Sequence, residues 1–526
     1  MRKLPIFILM TALMAIHVGA QPYAQTSAWQ FANFKDPSFP WDTYRDSFIG
    51  IPPTEDALSS AFDVLFYEQV YKSKLAKDGN CFGLALMSLL MLKNGGHMGF
   101  CLPVWQYSGG IPDPGTGPTD PRLKRAINVM HGHQVNLPTV QFLLDVFSKH
   151  KNRDASYAFT AFQNAHAQND LTLVSITKSL DPSDGGHTMV AYDAQDLGGG
   201  NKRLYVYDPS RTFAETTVFQ PYYLSGMNFI LINGNSWSFT KKNGDVWAGD
   251  PGGGGNIVIV PISVTGPHTR SPASLGDQII GRILNALFIT GDNASVEQVT
   301  DARGKHFFRP GTREMDTDPS TGMLSLMPWY PSDQAEPGQS PGLVLFHMGD
   351  AGGALSISIA APESGYTLRV GGVRGQVSVH AEGGRGTDVI KLAQAGTDQP
   401  VVAIENRRGT GLYTVELAHA DTATRQMEVL RSSNVVVPLG AVFQVAATNR
   451  HQELAIATTA TGVRYDLELQ STKQLIVRKA VEHTPGQVQT VRPANWSRLS
   501  PDEVVESVSA MPARNTIFLP QPILTH

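Results

Sequence analysis

In the first part of the chain, apolar positions recur at helical spacing. Leu58, Phe62, Leu65, Phe66 and Val70 fall three or four apart, so Thr54–Lys77 reads as a helix with Thr54 as its N-cap. Leu84, Leu86, Met87, Leu89, Leu90 and Leu92 follow Cys81 in a mostly apolar run stopped by Gly95-Gly96. That predicts a helix beginning at Cys81, with the Asn80 side chain capping its first turn. Val140, Leu143, Leu144 and Phe147 predict another over Pro138–His150. Further on, the runs shorten and fill with β-branched and aromatic residues. His187–Tyr192 and Leu204–Tyr207 flank Leu197-Gly198-Gly199-Gly200-Asn201, which predicts a β-hairpin. Strands near 228–240 and 255–263 would complete a sheet. Helices followed by strands predict an α+β fold for roughly residues 50–260.

Beyond this region the pattern changes again. Thr265–Pro272 reads as a linker, followed by a short helix near 275–288. Gly, Val, Thr and Ala then dominate, and Leu355-Ser356-Ile357-Ser358-Ile359 alternates apolar with polar. Ser364-Gly365-Tyr366-Thr367-Leu368-Arg369-Val370 and Gly411-Leu412-Tyr413-Thr414-Val415-Glu416-Leu417 resemble each other loosely. Residues 290–526 are therefore expected to form one or two β-sandwich modules, interrupted by a Pro/Ser/Asp-rich loop at Asp318–Gly342. The expected divisions are 1–20, 21–264, 265–289 and 290–526. Within the second, residues 21–53 carry Trp29, Phe31, Phe34, Phe39, Trp41 and Tyr44, which suits an arm over the domain or a removable pro-segment. Residues 106–122 read as a Gly/Pro loop.

Composition narrows the class. A chain of 526 residues is too long for one core, and two or three domains are expected. The net charge is only −4, and no Lys/Arg cluster interleaves with aromatics, so nucleic acid is not an expected partner. Arg2 and Lys3, the apolar stretch Pro5–Val18 and the small residues at Val18-Gly19-Ala20 read as a secretory signal peptide, with the mature chain starting near Gln21. Fourteen residues are short for a bilayer span, and no other apolar run approaches that length. The mature protein is thus expected to be secreted or periplasmic, without a transmembrane segment.

The candidate chemistry centres on Cys81, one of two cysteines. In the first turn of a helix, the dipole and the unpaired N–H groups favour a thiolate, which is a strong nucleophile. A base is available downstream. The midpoint of positions 187 and 208 falls at the start of the glycine run, so the hairpin brings His187 and Asp208 together, with Cβ atoms roughly 5 Å apart on a shared face. The pattern is nucleophile, base and orienter. His131-Gly132-His133 has no Cys or carboxylate cluster beside it and reads as structural. Gly252–Gly255 lacks the Lys and Ser/Thr of a phosphate loop and reads as a turn. A Cys81–Cys101 disulfide is the competing use of the cysteines in an exported protein.

Asn80-Cys81-Phe82-Gly83 at a helix start, Gly186-His187 opening a strand and Asp208 closing the next make the chain resemble the papain-like cysteine peptidase superfamily over residues 50–260, about half its length. The resemblance implies Cys81 as nucleophile, His187 as general base and Asp208 as orienter. Asn235, in Asn233-Gly234-Asn235-Ser236-Trp237, looks superficially like the family's catalytic Asn segment and is the alternative orienter. One departure stands out: the family's oxyanion Gln is missing, since Leu75 occupies the position six before Cys81. The Cys81 N–H would then need a second donor, for which Asn80 is a weak candidate. The expected function is an exported cysteine hydrolase that cleaves an amide bond in a peptide or protein and uses no cofactor or metal. The alternatives are a transamidase or cell-wall amidase, and a non-catalytic binding protein. In any of these, the β modules would hold a protein or glycan partner.

Overall fold

Antiparallel sheet dominates the chain, with 45% of residues in strands against 25% in helices. The computed structural model describes most of residues 27–271 and 287–510. Outside the described residues lie 1–26, 511–526 and several internal stretches, among them 55–65, 181–184, 218–227, 272–286, 302–322 and 326–343. The expected signal peptide, most of the helix expected at 54–77 and most of the loop expected at 318–342 fall there. The described residues form two compact units, one from 27–49 and 71–269, the other mainly from 270–510.

The first unit contains α1 (Trp41–Ser47), α2 (Cys81–Asn94), α3 (Pro121–Gly132), α4 (Leu137–Ser148) and α5 (Ala155–Ala167). Three of these helices start on side-chain caps. Asp120 accepts from the Arg122 N–H at 2.9 Å, Asn136 from Thr139 at 2.9 Å and Asp154 from Tyr157 at 3.0 Å. Pro121 and Pro138 sit in first turns, where their missing N–H costs no hydrogen bond. Every residue of α2 from Cys81 to Met91 is buried. A helix buried all round needs partners on all sides, and it packs on α3, on the sheet and on the aromatic arm.

That sheet has eight antiparallel strands: β1 (Thr172–Thr177), β2 (Gly186–Gly198), β3 (Asn201–Tyr207), β4 (Phe229–Asn233), β5 (Ser236–Thr240), β6 (Val246–Asp250), β7 (Gly253–Gly254) and β8 (Ile257–Pro261). The order is β7-β6-β5-β4-β3-β2-β1-β8, a meander whose last strand returns beside β1. Phe159 and Phe162 of α5 pack with Val174, Met189, Leu204, Val206, Ile230, Trp237 and Ile259 to form the core. Two further helical turns are α6 (Phe213–Thr217) and α7 (Ile262–Thr265).

The aromatic arm is an integral layer: Trp29, Phe31, Phe34, Phe39 and Tyr44 are fully buried. The Trp29 indole N–H donates to Leu84 O at 3.1 Å, and its backbone N–H donates to the Tyr207 hydroxyl at 3.0 Å. The stretch expected as a linker from Thr265 is partly bound to this unit. Thr265 O accepts from His133 Nδ1 at 3.0 Å and Asn136 Nδ2 at 3.1 Å, and Thr269 O accepts from the Ile49 N–H at 2.9 Å. These contacts carry the unit to Thr269.

The second unit is built of strands. The first five are β9 (Leu287–Asp292), β10 (Ser295–Asp301), β11 (Met323–Ser325), β12 (Val344–His347) and β13 (Leu355–Ala361). Leu287 and Phe288, expected to end a helix, start β9, and three residues of the expected loop form β11. From there the chain proceeds in hairpins: β14 (Tyr366–Gly371) with β15 (Gly375–Glu382), β16 (Gly386–Ala393) with β17 (Val401–Asn406), β18 (Gly411–Asp421) with β19 (Gln426–Val437), β20 (Val442–Thr448) with β21 (Glu453–Thr458), β22 (Arg464–Gln470) with β23 (Leu475–Glu482), and β24 (Gln487–Pro493) with β25 (Val504–Ala510). Successive hairpins alternate between a nine-stranded sheet and an eight-stranded one.

Buried side chains join the two sheets. The Tyr366 and Tyr413 hydroxyls both donate to Asp388, at 2.8 and 2.9 Å, and the Tyr465 hydroxyl donates to Gln489. The loose resemblance between two strands extends to a third, Tyr465-Asp466-Leu467-Glu468-Leu469. In each, a fully buried Tyr is followed two and four residues later by buried aliphatics: Leu368 and Val370, Val415 and Leu417, Leu467 and Leu469.

Candidate functional site

Cys81 is the first residue of α2. Gly83, two residues on, is there for close approach: a Cβ on it would lie 2.4 Å from Ile127 O and 2.8 Å from His131 Cβ of α3. Its N–H donates to His131 Nδ1 at 3.3 Å, and His131 Nε2 donates to Leu75 O at 3.1 Å. Burial lowers the His131 pKa to about 4 against the opposing effect of the Leu75 carbonyl, so the ring is neutral and keeps an Nδ1 lone pair for Gly83. His131 therefore locks the start of α2. Burial also takes His133 to about 4, and its ring stacks on His268.

Asn80 does not cap α2 with its side chain, contrary to expectation. Its backbone, at φ −102° and ψ 26°, is not in the extended conformation that aims a capping side chain at the first turn. Its backbone N–H donates to Asn33 Oδ1 at 2.8 Å and to Phe34 O at 3.1 Å. Its Nδ2 donates to Phe34 O at 3.4 Å, and its Oδ1 is buried without a partner.

His187 and Asp208 meet directly, with Nε2 2.7 Å from Oδ1, and both side chains are almost completely buried. They are not directly opposed, however. Pairing of β2 with β3 runs from Gly198↔Asn201 to Val190↔Tyr207, with register shifts between Ala191 and Asp193 and between Asp196 and Gly198. The turn is Gly199-Gly200, both at positive φ (62° and 85°), later than the midpoint expected from the sequence. The two irregularities offset the strands, so His187 and Asp208 form a diagonal pair just where Pro209 ends the ladder. Burial raises the Asp208 pKa, but His187's charge and hydrogen bond, the Ser210 N–H and Arg211 outweigh it and hold the carboxyl at about 2. The Ser210 N–H shares Oδ1 with the ring, at 2.8 Å.

Asn33 in the arm connects the loop before Cys81 to the loop after Asp208. Its N–H donates to Pro209 O at 2.8 Å, while its Oδ1 takes the Asn80 N–H. Cys81 thus lies one residue beyond this bridge on one side, and Asp208 one residue before it on the other. Through this bridge the start of α2 is tied to the end of β3, whereas Leu90, far along α2, lies by Gly266, past the end of β8 that is remote from His187. Asn235 is exposed in the β4–β5 turn. The neighbouring Gly234 N–H donates to Gly200 O, so Asn235 lies by the hairpin tip, away from His187.

Both cysteines are free, Cys81 buried and Cys101 exposed, so the alternative disulfide is not formed. No group of three or more metal-ligating side chains occurs among the described residues. No described helix is long and apolar enough to cross a membrane. Sequence reasoning missed Asn33; its only signal was a polar residue set between Phe31 and Phe34 in an aromatic arm. In comparisons with known proteins, no family model, no curated protein and no solved structure matches this chain.

Proposed function

We propose that this protein is an exported thiol hydrolase acting on amide bonds of peptides or proteins, with Cys81 as nucleophile, His187 as base and Asp208 as orienter, in a papain-like domain followed by a β-sandwich. The observation that carries this reading is the buried His187–Asp208 pair at the end of the sheet where α2 begins with Cys81. With Nε2 committed to Asp208, proton exchange with Cys81 falls to Nδ1. His187 takes the thiol proton and Sγ attacks the carbonyl carbon, so a C–S bond forms and an electron pair moves onto oxygen. Collapse breaks the C–N bond as His187 protonates the leaving amine. Water, deprotonated by His187, then attacks the thioester; the acid leaves and the thiol is restored. Asp208 stabilises the imidazolium throughout. Export rests on the basic and apolar N-terminal residues.

A second reading is a binding protein in which His187–Asp208 is a structural ion pair. It is favoured by the near-complete burial of that pair. Iodoacetamide labelling, together with incubation of the parent and Cys81→Ala proteins with a mixed peptide library, separates the two. The hydrolase labels faster at Cys81 than at the more exposed Cys101 near neutral pH, and its cleavage disappears in Cys81→Ala. Labelling confined to Cys101, with no cleavage by either protein, establishes the binding reading.

A further inference from the structure

The helix start at Cys81 provides one oxyanion donor, its own N–H. Gly83 cannot add a second, because its N–H is taken by His131. Asn80 is a poor source, with its backbone N–H and one side-chain bond already directed to the arm. Asn33 differs. Its side chain is 98% buried (2% exposed), and Nδ2 has no hydrogen-bond partner. The carboxamide cannot be turned round to remove that orphan, because Oδ1 must face the Asn80 N–H at 2.8 Å. A second bond, from its backbone N–H to Pro209 O, holds the residue between the nucleophile and orienter loops. The fold thus keeps a rigid, buried and unsatisfied N–H donor on the residue that binds the neighbour of Cys81. Native proteins rarely tolerate such a group without a use for it.

We propose that Asn33 Nδ2 is the second oxyanion donor, acting with the Cys81 backbone N–H on the carbonyl oxygen of the scissile amide. The proposal rests on the thiol-hydrolase reading above. When Sγ bonds to the carbonyl carbon, the displaced electron pair resides on oxygen, and these two N–H groups bear that charge until the C–N bond breaks. The arm, far from the nucleophile in sequence, then fills the role for which no Gln stands before Cys81. Its donor is fixed before substrate arrives, which is the condition for effective stabilisation of charge that develops only in the transition state.

The test uses full-length protein and three readouts: peptide turnover, affinity for a peptide aldehyde, and alkylation of Cys81 by iodoacetamide at alkaline pH. The aldehyde forms a tetrahedral adduct that needs the donor; alkylation needs only the thiolate. Asn33→Asp is isosteric and keeps an acceptor for Asn80, whereas Asn33→Ser shortens the side chain without adding charge. Either variant that melts like the parent supplies the answer. The expected result is a kcat loss of about 10²–10³-fold with KM changed only a few-fold. Aldehyde affinity should fall in parallel, and alkylation should stay within a few-fold of the parent. Undiminished turnover in a folded variant overturns the proposal alone. So does a fall in alkylation that matches the fall in turnover, which would make Asn33 a scaffold residue. A parent with no Cys81-dependent turnover overturns the hydrolase reading and this inference with it.

Discussion

The two units treat buried polar groups differently. In the second, Asp388 is completely buried yet accepts from two tyrosine hydroxyls, one from each of two neighbouring repeats of the opposite sheet. On another part of that unit, Arg431 lies between Glu416 and Glu468 on paired strands and bonds both. In the first unit, Asn33, Asn80, Gln134 and Asn228 each carry a buried side-chain atom without a partner. A repeating hairpin architecture meets the same environment at each repeat, so one solution, a tyrosine reaching across to a polar acceptor, serves several times. The first unit has no repeat. Its helices, arm and sheet meet once each, and unsatisfied buried atoms occur both next to the Cys81 and Asp208 loops, at Asn33 and Asn80, and away from them, at Gln134; the second unit carries its own at Ser432 and His483.

Substitutions can break this contrast, and the largest effect should come from Cys81, the proposed nucleophile. Cys81→Ala is expected to reduce hydrolysis by 10⁴-fold or more, on the order seen when a catalytic nucleophile is removed. The melting temperature should stay close to the parent's, because a small side chain replaces a small one. Kinetics and calorimetry on the same preparation check both halves. Asp388→Ala should do the opposite. It strands two buried hydroxyls, at about 1–3 kcal/mol each. The calorimetric transition of the second unit should therefore fall, while iodoacetamide still reaches Cys81 at the parental rate.

Asp208→Ala is expected to lower kcat by roughly 10²–10⁴-fold, since the ring loses the group that sets its tautomer. Asp208→Asn should retain more activity, because an amide oxygen still accepts from Nε2. A pH effect follows from the same residue. Its folded-state pKa, about 2, lies below the ordinary 3.8. The resulting stabilisation is fully present above the ordinary value and is lost as pH falls from about 4 toward 2. It amounts to roughly 2 kcal/mol. Acid-unfolding curves of the parent should show that loss, and Asp208→Asn should lack it. The smallest effect is expected at Asn235. Exposed beside the hairpin tip, Asn235→Ala should leave kcat unchanged and shift stability by no more than about 0.5 kcal/mol. A larger kinetic effect there than at Asp208 would place the orienter in the wrong strand.

Local pattern alone determined a good deal. The helix at Cys81, the helix near 138–148, the hairpin that joins His187 to Asp208 and the strand content of the second half all follow from periodicity, glycines and capping residues, which act over a few neighbours. Even the repeat shows in the strands of Tyr366 and Tyr413, while its third copy at Tyr465 emerges from the burial pattern. Tertiary structure decided the rest. Two bulges moved His187 and Asp208 from directly opposed to diagonal, an offset of a residue or two that apolar alternation does not report. Asn80 faced the arm instead of capping its helix, because Phe34 and Asn33 reach it from nearly fifty residues away. The alternation of hairpins between two sheets depends on which faces bury each other. So does the placement of Asn33: only when the arm is folded between the two loops does an ordinary asparagine become a buried, unpaired donor bonded to the residue before Cys81.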